Sequence, residues 1–486
     1  MKNRTSPVRL MSVLLMVLML VPQEWATCGG GGGGGMGGMG GGSMGGNTNA
    51  QQTYPVPWKL VQPSDPPPSQ GLAVYWLPSS QAELEKSSLR FSRVLSTYSQ
   101  QCVAMGIVDF HTPLGKKFIG DQKPPVAVLA EPDGKMLAKA ENKDGYLKVD
   151  QVEKLLETEI KSREESVKKQ MDNAKEKAKS GDSQGAIQLY RGVYDQKCMF
   201  PGKAKDAAKE LKKLGVTVAD VPNAPILDRK LNAEIERVMR NGLKAEDAAK
   251  YVEAERLYTE AHNMDPADPA PLRYLGELYR HHIGDWAKAR TTFEAILNMP
   301  ADPLSRAVAL HGLGKMTIHE GEFKKGLALM EDSVREYPLA LAYRNLAVYW
   351  NSEGDAAKTN YYTEKALALD PKDPFNLTFA AAFMAQNGKG EQALKIAREN
   401  ESILPASYNL AAIYAQAGQK EKALSLLKRH FFEYERYQSV RAKEMMEARV
   451  DAVFASLRED PQFMALTSGA DGRLPMPMSA PVKSGN

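Results

Sequence analysis

The chain has 486 residues, a net charge of +4 and 25% charged side chains, too even a balance for the strong field that nucleic acid or an acidic membrane surface calls for. The three cysteines and seven histidines show no metal-ligand spacing of the H-E-x-x-H or C-x-x-C kind, and the one glycine-rich tract lacks the strand, helix and lysine-serine of a phosphate loop. The sequence therefore offers no cofactor site, no nucleic-acid partner and no constellation of an enzyme.

Lys2, Arg4 and Arg9 precede an apolar run at 10–21. A membrane span takes about 20 residues, so this run is too short for one. A basic start, a short apolar core and the small residues around Ala26-Thr27-Cys28 read as an export signal over 1–28, which places the protein in the periplasm or cell envelope. Two outcomes are open there. The signal is cleaved near 26–28, or Cys28 is lipidated and attaches the chain to a membrane; Trp25-Ala26-Thr27 matches a lipoprotein signal poorly. Residues 29–46 are glycine broken only by Met36, Met39, Ser43 and Met44, and prolines dominate 63–68. Such a chain has little to bury, so 29–69 reads as a disordered tether of about 40 residues spanning roughly 35 Å.

Alternating and short apolar runs predict strands at 71–77 (GLAVYWL), 103–110, 125–130 and 135–141, with helices at 81–97 and 149–160. The order of these elements and the segment PPVAVLAEPDGKMLAKA resemble a thioredoxin-like domain over 70–162, with Pro125 at the position of that family's cis-proline. The family's chemistry needs a C-x-x-C pair after the first strand, one thiolate to attack and one thiol to resolve. Here that place reads Pro78-Ser79-Ser80-Gln81. The resemblance thus implies the fold without the redox activity. Cys102 and Cys198 are either a disulfide formed after export or two isolated buried thiols.

Downstream, Gly284, Gly321, Gly354, Gly388 and Gly418 recur at intervals of 37, 33, 34 and 30 residues. Each is followed five residues later by a small residue (Ala289, Gly326, Thr359, Ala393, Ala423), and three are followed after 17 residues by Pro338, Pro371 and Pro405. Leu272, Leu275 and Tyr279 share one helix face, and Ala289 and Phe293 face back onto it. This pattern resembles the tetratricopeptide repeat, whose period is near 34 residues. The array extends over 163–438, with weaker units around Ala174–Tyr190 and Gly242–Pro266 and an interruption at about 201–225. A helix with Val450, Val453, Phe454 and Leu457 as its apolar face reads as the cap that a solenoid needs, within 439–466, and 467–486 as a disordered tail.

The resemblance implies a mainly α fold, a helical-hairpin solenoid, preceded by a small α/β domain. It also implies a concave face built by Arg273, Glu277, Arg280, His311, Lys315, Arg344, Asn345, Asn351, Phe375 and Tyr408, with the charges exposed to a partner. Family members that clamp a C-terminal carboxylate use cations from three successive units; here the third presents Phe375 and Phe379, so a mixed polar and aromatic groove for a protein or peptide segment is the better expectation. His311 and His319 lie two turns apart and read as helix-surface residues rather than a metal site. The whole reads as an exported, non-enzymatic binding scaffold. The alternative is an accessory factor of envelope folding or redox machinery with a client-docking thioredoxin-like domain.

Overall fold

The computed structural model describes residues 53–471 apart from 63, 143–144, 222, 224, 370, 372, 405–406 and 435–437. The leader, Cys28, the glycine tract, Pro405 and residues 472–486 lie outside the described residues. Among the described residues the chain is mainly helical, and no helix is long and apolar enough to cross a membrane.

The segment 53–69 departs from the expected tether. Tyr54 and Val56 are buried, and β1 (Lys59–Leu60) pairs in parallel with β3 (Val103–Ile107). Trp58 donates its indole N–H to the Leu89 carbonyl at 2.7 Å and meets Trp76 edge-on. Val56 and Trp58 pack in the core under the sheet, whereas Tyr54 joins the apolar cluster of the helices that follow. The sheet has the order β1-β3-β2-β4-β5, where β2 is Leu72–Leu77, β4 Val126–Ala130 and β5 Met136–Glu141. β1, β3 and β2 are parallel; β2–β4 and β4–β5 pair antiparallel. A cis peptide joins Pro124 to Pro125 just before β4. The period of two sends Leu72, Val74 and Trp76 to one core and Ala73, Tyr75 and Leu77 to the other. The helix expected at 81–97 is three pieces: α1 (Gln81–Lys86), a 3-10 turn at Ser88–Arg90 and α2 (Arg93–Ser99). Ser80, Ser87 and Ser92 each accept from a backbone N–H and so start a new segment. α3 (Pro113–Ile119) covers the second face with Phe118.

α4 (Val149–Lys179) contains neither glycine nor proline and runs for 31 residues. The boundary expected at 162 therefore falls inside one helix. Its buried stripe, from Val152 to Ala174, packs first on the sheet and then on α5 (Ser183–Tyr194). α6 (Pro201–Lys213) occupies the expected interruption and adds Ala204, Ala207 and Leu211 to the same core. In the turn before it, Cys198 is joined by its sulfur to Cys102, with Cα atoms 5.7 Å apart. Cys102 itself has φ +62°, left-handed backbone at the start of β3.

Six further helix pairs follow: α7 (Arg229–Asp247) with α8 (Tyr251–Met264), α9 (Pro269–Glu277) with α10 (Trp286–Leu297), α11 (Pro303–His319) with α12 (Phe323–Glu336), α13 (Ala340–Ser352) with α14 (Ala356–Leu369), α15 (Pro374–Gln386) with α16 (Gly390–Asn400), and α17 (Tyr408–Gln416) with α18 (Lys420–Arg429). The five turn glycines take φ from +72° to +94°, the left-handed conformation that stops a helix without a Cβ penalty. These paired helices, with their regular turns, form the array of antiparallel hairpins that the repeat spacing predicts. Close approach is set by glycine as well. Phe293 on α10 sits between Gly276 of α9 and Gly312 of α11, and a Cβ at either glycine would overlap its ring.

The sheet and the array meet through Arg93, the first residue of α2, whose side chain is fully buried. Its guanidinium pairs with Asp265 and Asn232, with Asp268 at 3.0 Å and with the Ile226 carbonyl at 3.0 Å. Tyr54 donates to Asp268 at 2.9 Å, and the other Asp268 oxygen caps α9 through the Ala270 N–H at 2.9 Å.

Gly312→Ala should destabilise the chain by about 1–3 kcal/mol, the cost of overpacking a filled core. Gly202→Ala on α6 meets open space and should be neutral or stabilising by up to about 1 kcal/mol. Denaturant midpoints of the two variants check the contrast; equal shifts would contradict it.

Candidate partner-binding channel

The first helices of the pairs lie side by side, linked by a polar contact at almost every step. Arg273 of α9 donates to Ser305 of α11 at 3.2 Å; Asn345 of α13 donates to His311 Nε2 of α11 at 2.7 Å. Arg344 of α13 donates to Asn376 of α15 at 2.6 Å, and Gln416 of α17 to the Ala382 carbonyl of α15 at 2.8 Å. The inner surface so formed carries the residues that the sequence places on the concave face. Their exposure differs from the expectation. Arg273, Glu277, Arg280, His311, Lys315, Arg344, Asn345 and Tyr408 are all buried; Asn351 and Phe375 are half-buried.

Part of the reason is that neighbouring helices meet there, as Asn345 meets His311 and Arg344 meets Asn376; the rest is that two other parts of the same chain reach this surface. At one end, Arg273 donates to the Thr53 carbonyl at 3.2 Å, so the segment before β1 lies against it. At the other, α19 (Gln438–Val450) packs against Leu278–Ile283 and His430–Tyr434 and reaches α11 through Glu447. Its Glu447 forms an ion pair with Lys315 Nζ at 2.6 Å and also meets His319. Its Glu444 lies 3.2 Å from His430, and Asp451, just past its end, accepts from the Tyr408 hydroxyl at 3.2 Å. Residues 444, 447 and 451 recur at helical spacing and share a face with the buried Met445 and Ala448. The helix expected to run through Val450, Val453, Phe454 and Leu457 breaks at Asp451, which caps the Val453 N–H at 3.1 Å. Val450 is 65% exposed; a 3-10 turn (Ala452–Leu457) and α20 (Pro461–Leu466) pack on α17 and α18 instead. Glu444, Glu447 and Asp451 were legible as an acidic stripe at 3.6-residue spacing, a signal the apolar reading of this helix passed over.

Two π-helical stretches flank α19. Leu278–Ile283 brings Arg280, His281 and His282 inward, and His430–Tyr434 brings His430. Arg280 is held by Glu277 in a two-point contact at 2.6 and 3.3 Å. Burial would raise the Glu447 carboxyl, but Lys315 and His319 outweigh it and hold it at about 2. Burial pushes His311 well below the usual imidazole range, with Arg280, Lys315 and Arg344 adding to the effect. His281 shifts the same way, by burial and then by the neighbouring His282 and Arg280. Asp451 is raised to about 6 by burial. The channel is thus a buried surface rich in basic side chains, of which Lys315, His319 and His430 meet carboxylates from α19.

No protein-family model matches the chain. It is similar to the CTR9 homolog protein of Arabidopsis thaliana, at 24% identity over 229 residues, covering 37% of this chain and 21% of that protein. It is similar to cellulose synthase operon protein C of Pseudomonas fluorescens (strain SBW25), at 28% identity over 166 residues, covering 32% of this chain and 13% of that protein. The chain therefore spans about a fifth or less of the length of these curated relatives. Solved structures similar to it include a thermophilic TPR protein of Thermus thermophilus, at 18% identity and TM-score 0.31, covering 39% of this chain and 99% of that one. Another is the type IV pilus biogenesis factor PilW, at 15% identity and TM-score 0.30, covering 51% of this chain and 98% of that one. The assignment of the array rests on the chain's own helix pairs and turn glycines.

Lys315→Ala leaves Glu447 buried without its lysine and should cost about 3–5 kcal/mol, whereas Lys315→Met with Glu447→Met should recover most of that. Chemical denaturation of the two single variants and the double variant gives the coupling; additive losses would contradict a shared pair. A pH dependence follows from His311. An unfolded histidine takes a proton near pH 6.5, and His311 in the channel resists it, so its contribution is present above that pH and lost as pH falls below it. Between about pH 7.5 and about pH 5.5, the unaltered chain should lose more thermal stability than His311→Gln. Parallel curves would show that His311 titrates alike in both states.

Proposed function

We propose that this chain is an exported, non-enzymatic scaffold that binds a protein or peptide segment in the channel of its tetratricopeptide-type array. The observation that carries this reading is α19 itself. A surface that accepts a helix of the same chain through Lys315, His319 and His430 has the chemistry to accept a helical segment of another protein. Nucleic acid is not the partner on this reading, because the cations of the channel are buried and already matched by carboxylates.

The small module is read as thioredoxin-like. The strand order β1-β3-β2-β4-β5 and the cis peptide before β4 support it, as does the helix start after β2. Where that family carries its two cysteines, Ser80 instead caps α1 by accepting from the Glu83 N–H at 3.1 Å. The module is then a redox-inactive spacer or docking unit. The Cys102–Cys198 bridge fits an oxidising compartment and, with the basic leader, supports export to the periplasm or envelope. Attachment through a lipid on Cys28 belongs to the same proposal. A second reading, an accessory factor of envelope folding or redox machinery, is favoured by the pairing of this module with a disulfide.

The test is a photo-crosslinking residue at Asn351, half-buried beside the channel, in the full chain expressed in its native cell and recovered by fractionation. The expected result is a crosslinked protein adduct in the envelope fraction, above the level given by the same probe at the exposed Val252 of α8. Equal adducts at the two positions, or a chain confined to the cytoplasm, would overturn the reading.

A further inference from the structure

α19 is attached to the array in an unusual sense. A helix that simply caps a solenoid turns its apolar side inward. Here the inward face carries Glu444 and Glu447, followed by Asp451, while Met446 and Val450, four residues apart, are 39% and 65% exposed. Met445 and Ala448 join the apolar cluster of the last pair, so α19 is held near α17 by packing. Its reach toward α11 is different: there the contacts are the ion pairs of Glu447 with Lys315 and His319. Lys315 is buried, and its charge must be matched by whatever fills the channel. Both π-helical stretches, a local irregularity often found at functional sites, touch α19, and Leu278–Ile283 packs on α8, α9 and α10 as well.

We propose that α19 is a built-in occupant of the channel, standing where an acidic amphipathic helix of a partner protein binds, and that it is displaced when that helix enters. This rests on the reading of the channel as the partner site. The partner is specified by chemistry: two carboxylates three residues apart and a third four residues on, matching the Lys315–His319 pair, His430 and the Tyr408 hydroxyl, with small or flexible apolar residues between them. Displacement opens 438–451 and also parts α19 from the 3-10 turn Ser468–Asp471 and from Thr467, to which Arg449 donates at 2.9 Å. The 3-10 turn Ala452–Leu457 and α20 beyond it keep their own contacts with α17 and α18, including Lys420 with Asp460 at 2.8 Å.

The probe is a fluorescent synthetic peptide of residues 438–451, added to the full-length chain. Glu444→Lys with Glu447→Lys should lift α19 out of the channel. The double variant should then bind the peptide on the order of 100-fold more tightly than the unaltered chain does, the factor expected if the channel is closed about 99% of the time. A peptide with both glutamates changed to lysine should not bind. Equal binding by the two chains, no binding by a folded double variant, or equal binding of the charge-reversed peptide would each overturn the proposal. Amide hydrogen exchange on the unaltered chain decides the matter even if the double variant does not fold. α19 should exchange at least about 100-fold faster than α11, because it opens locally. Exchange of α19 in step with α11 would make it a permanent part of the core and overturn the idea. Both arms use only this chain and a copy of its own helix, so they report on α19 whether or not the Asn351 probe finds a partner.

Discussion

A guanidinium without water around it organises the first half of this molecule. Arg93 is fully buried at the start of α2, and its charge has to be met by groups from whatever lies opposite. Asp265 and Asp268 meet it from the α8–α9 turn and Asn232 from α7. These partners sit 139 to 175 residues further along the chain, so the contact fixes how the sheet stands on the array. Swapping such a cluster for apolar residues is often neutral or stabilising, so its value here lies in orientation. An apolar patch would tolerate many docking angles; three carboxylate and amide partners around one planar cation tolerate few. Tyr54 joins the same cluster, which also draws residues 53–56 against the array and brings Thr53 to Arg273.

The same rule governs the other end. The inner surface of the array is built from charged and polar side chains on α9, α11 and α13. In an open solenoid water would satisfy them. Here Lys315, His311 and Arg280 are removed from water, and the arrangement holds because Glu447, Asn345 and Glu277 supply what water would. The Glu447 carboxyl, held at about 2 against the effect of its own burial, is the clearest sign that the cations dominate. Neutral His281 and His311 limit how much positive charge the channel contains at neutral pH, so one acidic helix suffices to balance it.

Much of the architecture was legible in the sequence, for definite reasons. Turn glycines and small residues at fixed offsets report helix pairing directly, because sterics forbid larger groups there; Phe293 between Gly276 and Gly312 is the physical content of that pattern. The central strands were legible because burial on both faces makes β2 and β4 continuous apolar runs. β1 was not, since two residues between prolines carry no period. The continuity of α4 was hidden because a helix serving two cores in succession looks like two helices with a polar gap. The inner-face positions were also legible, but their burial was not. Part of what meets them, at Arg273, Lys315 and Tyr408, comes from Thr53, from α19 and from Asp451 just past it, and periodicity within a repeat says nothing about contacts from outside the array.

The two chain ends that fold onto the array do different things energetically. The N-terminal contact adds apolar area and a buried cation, and it is braced covalently by Cys102–Cys198 and mechanically by the unbroken α4. Moving it would mean unmaking a core. The C-terminal contact has a smaller apolar component, Met445 and Ala448, and beyond them depends on carboxylates whose partners stay satisfied if an equivalent carboxylate replaces them. Exchange of one acidic helix for another conserves the charge balance of the channel throughout. A ligand without acidic groups would have to leave Lys315 buried and unmatched, at a cost of several kcal/mol. The charge that closes the channel on its own helix is therefore also what would restrict the helices it accepts.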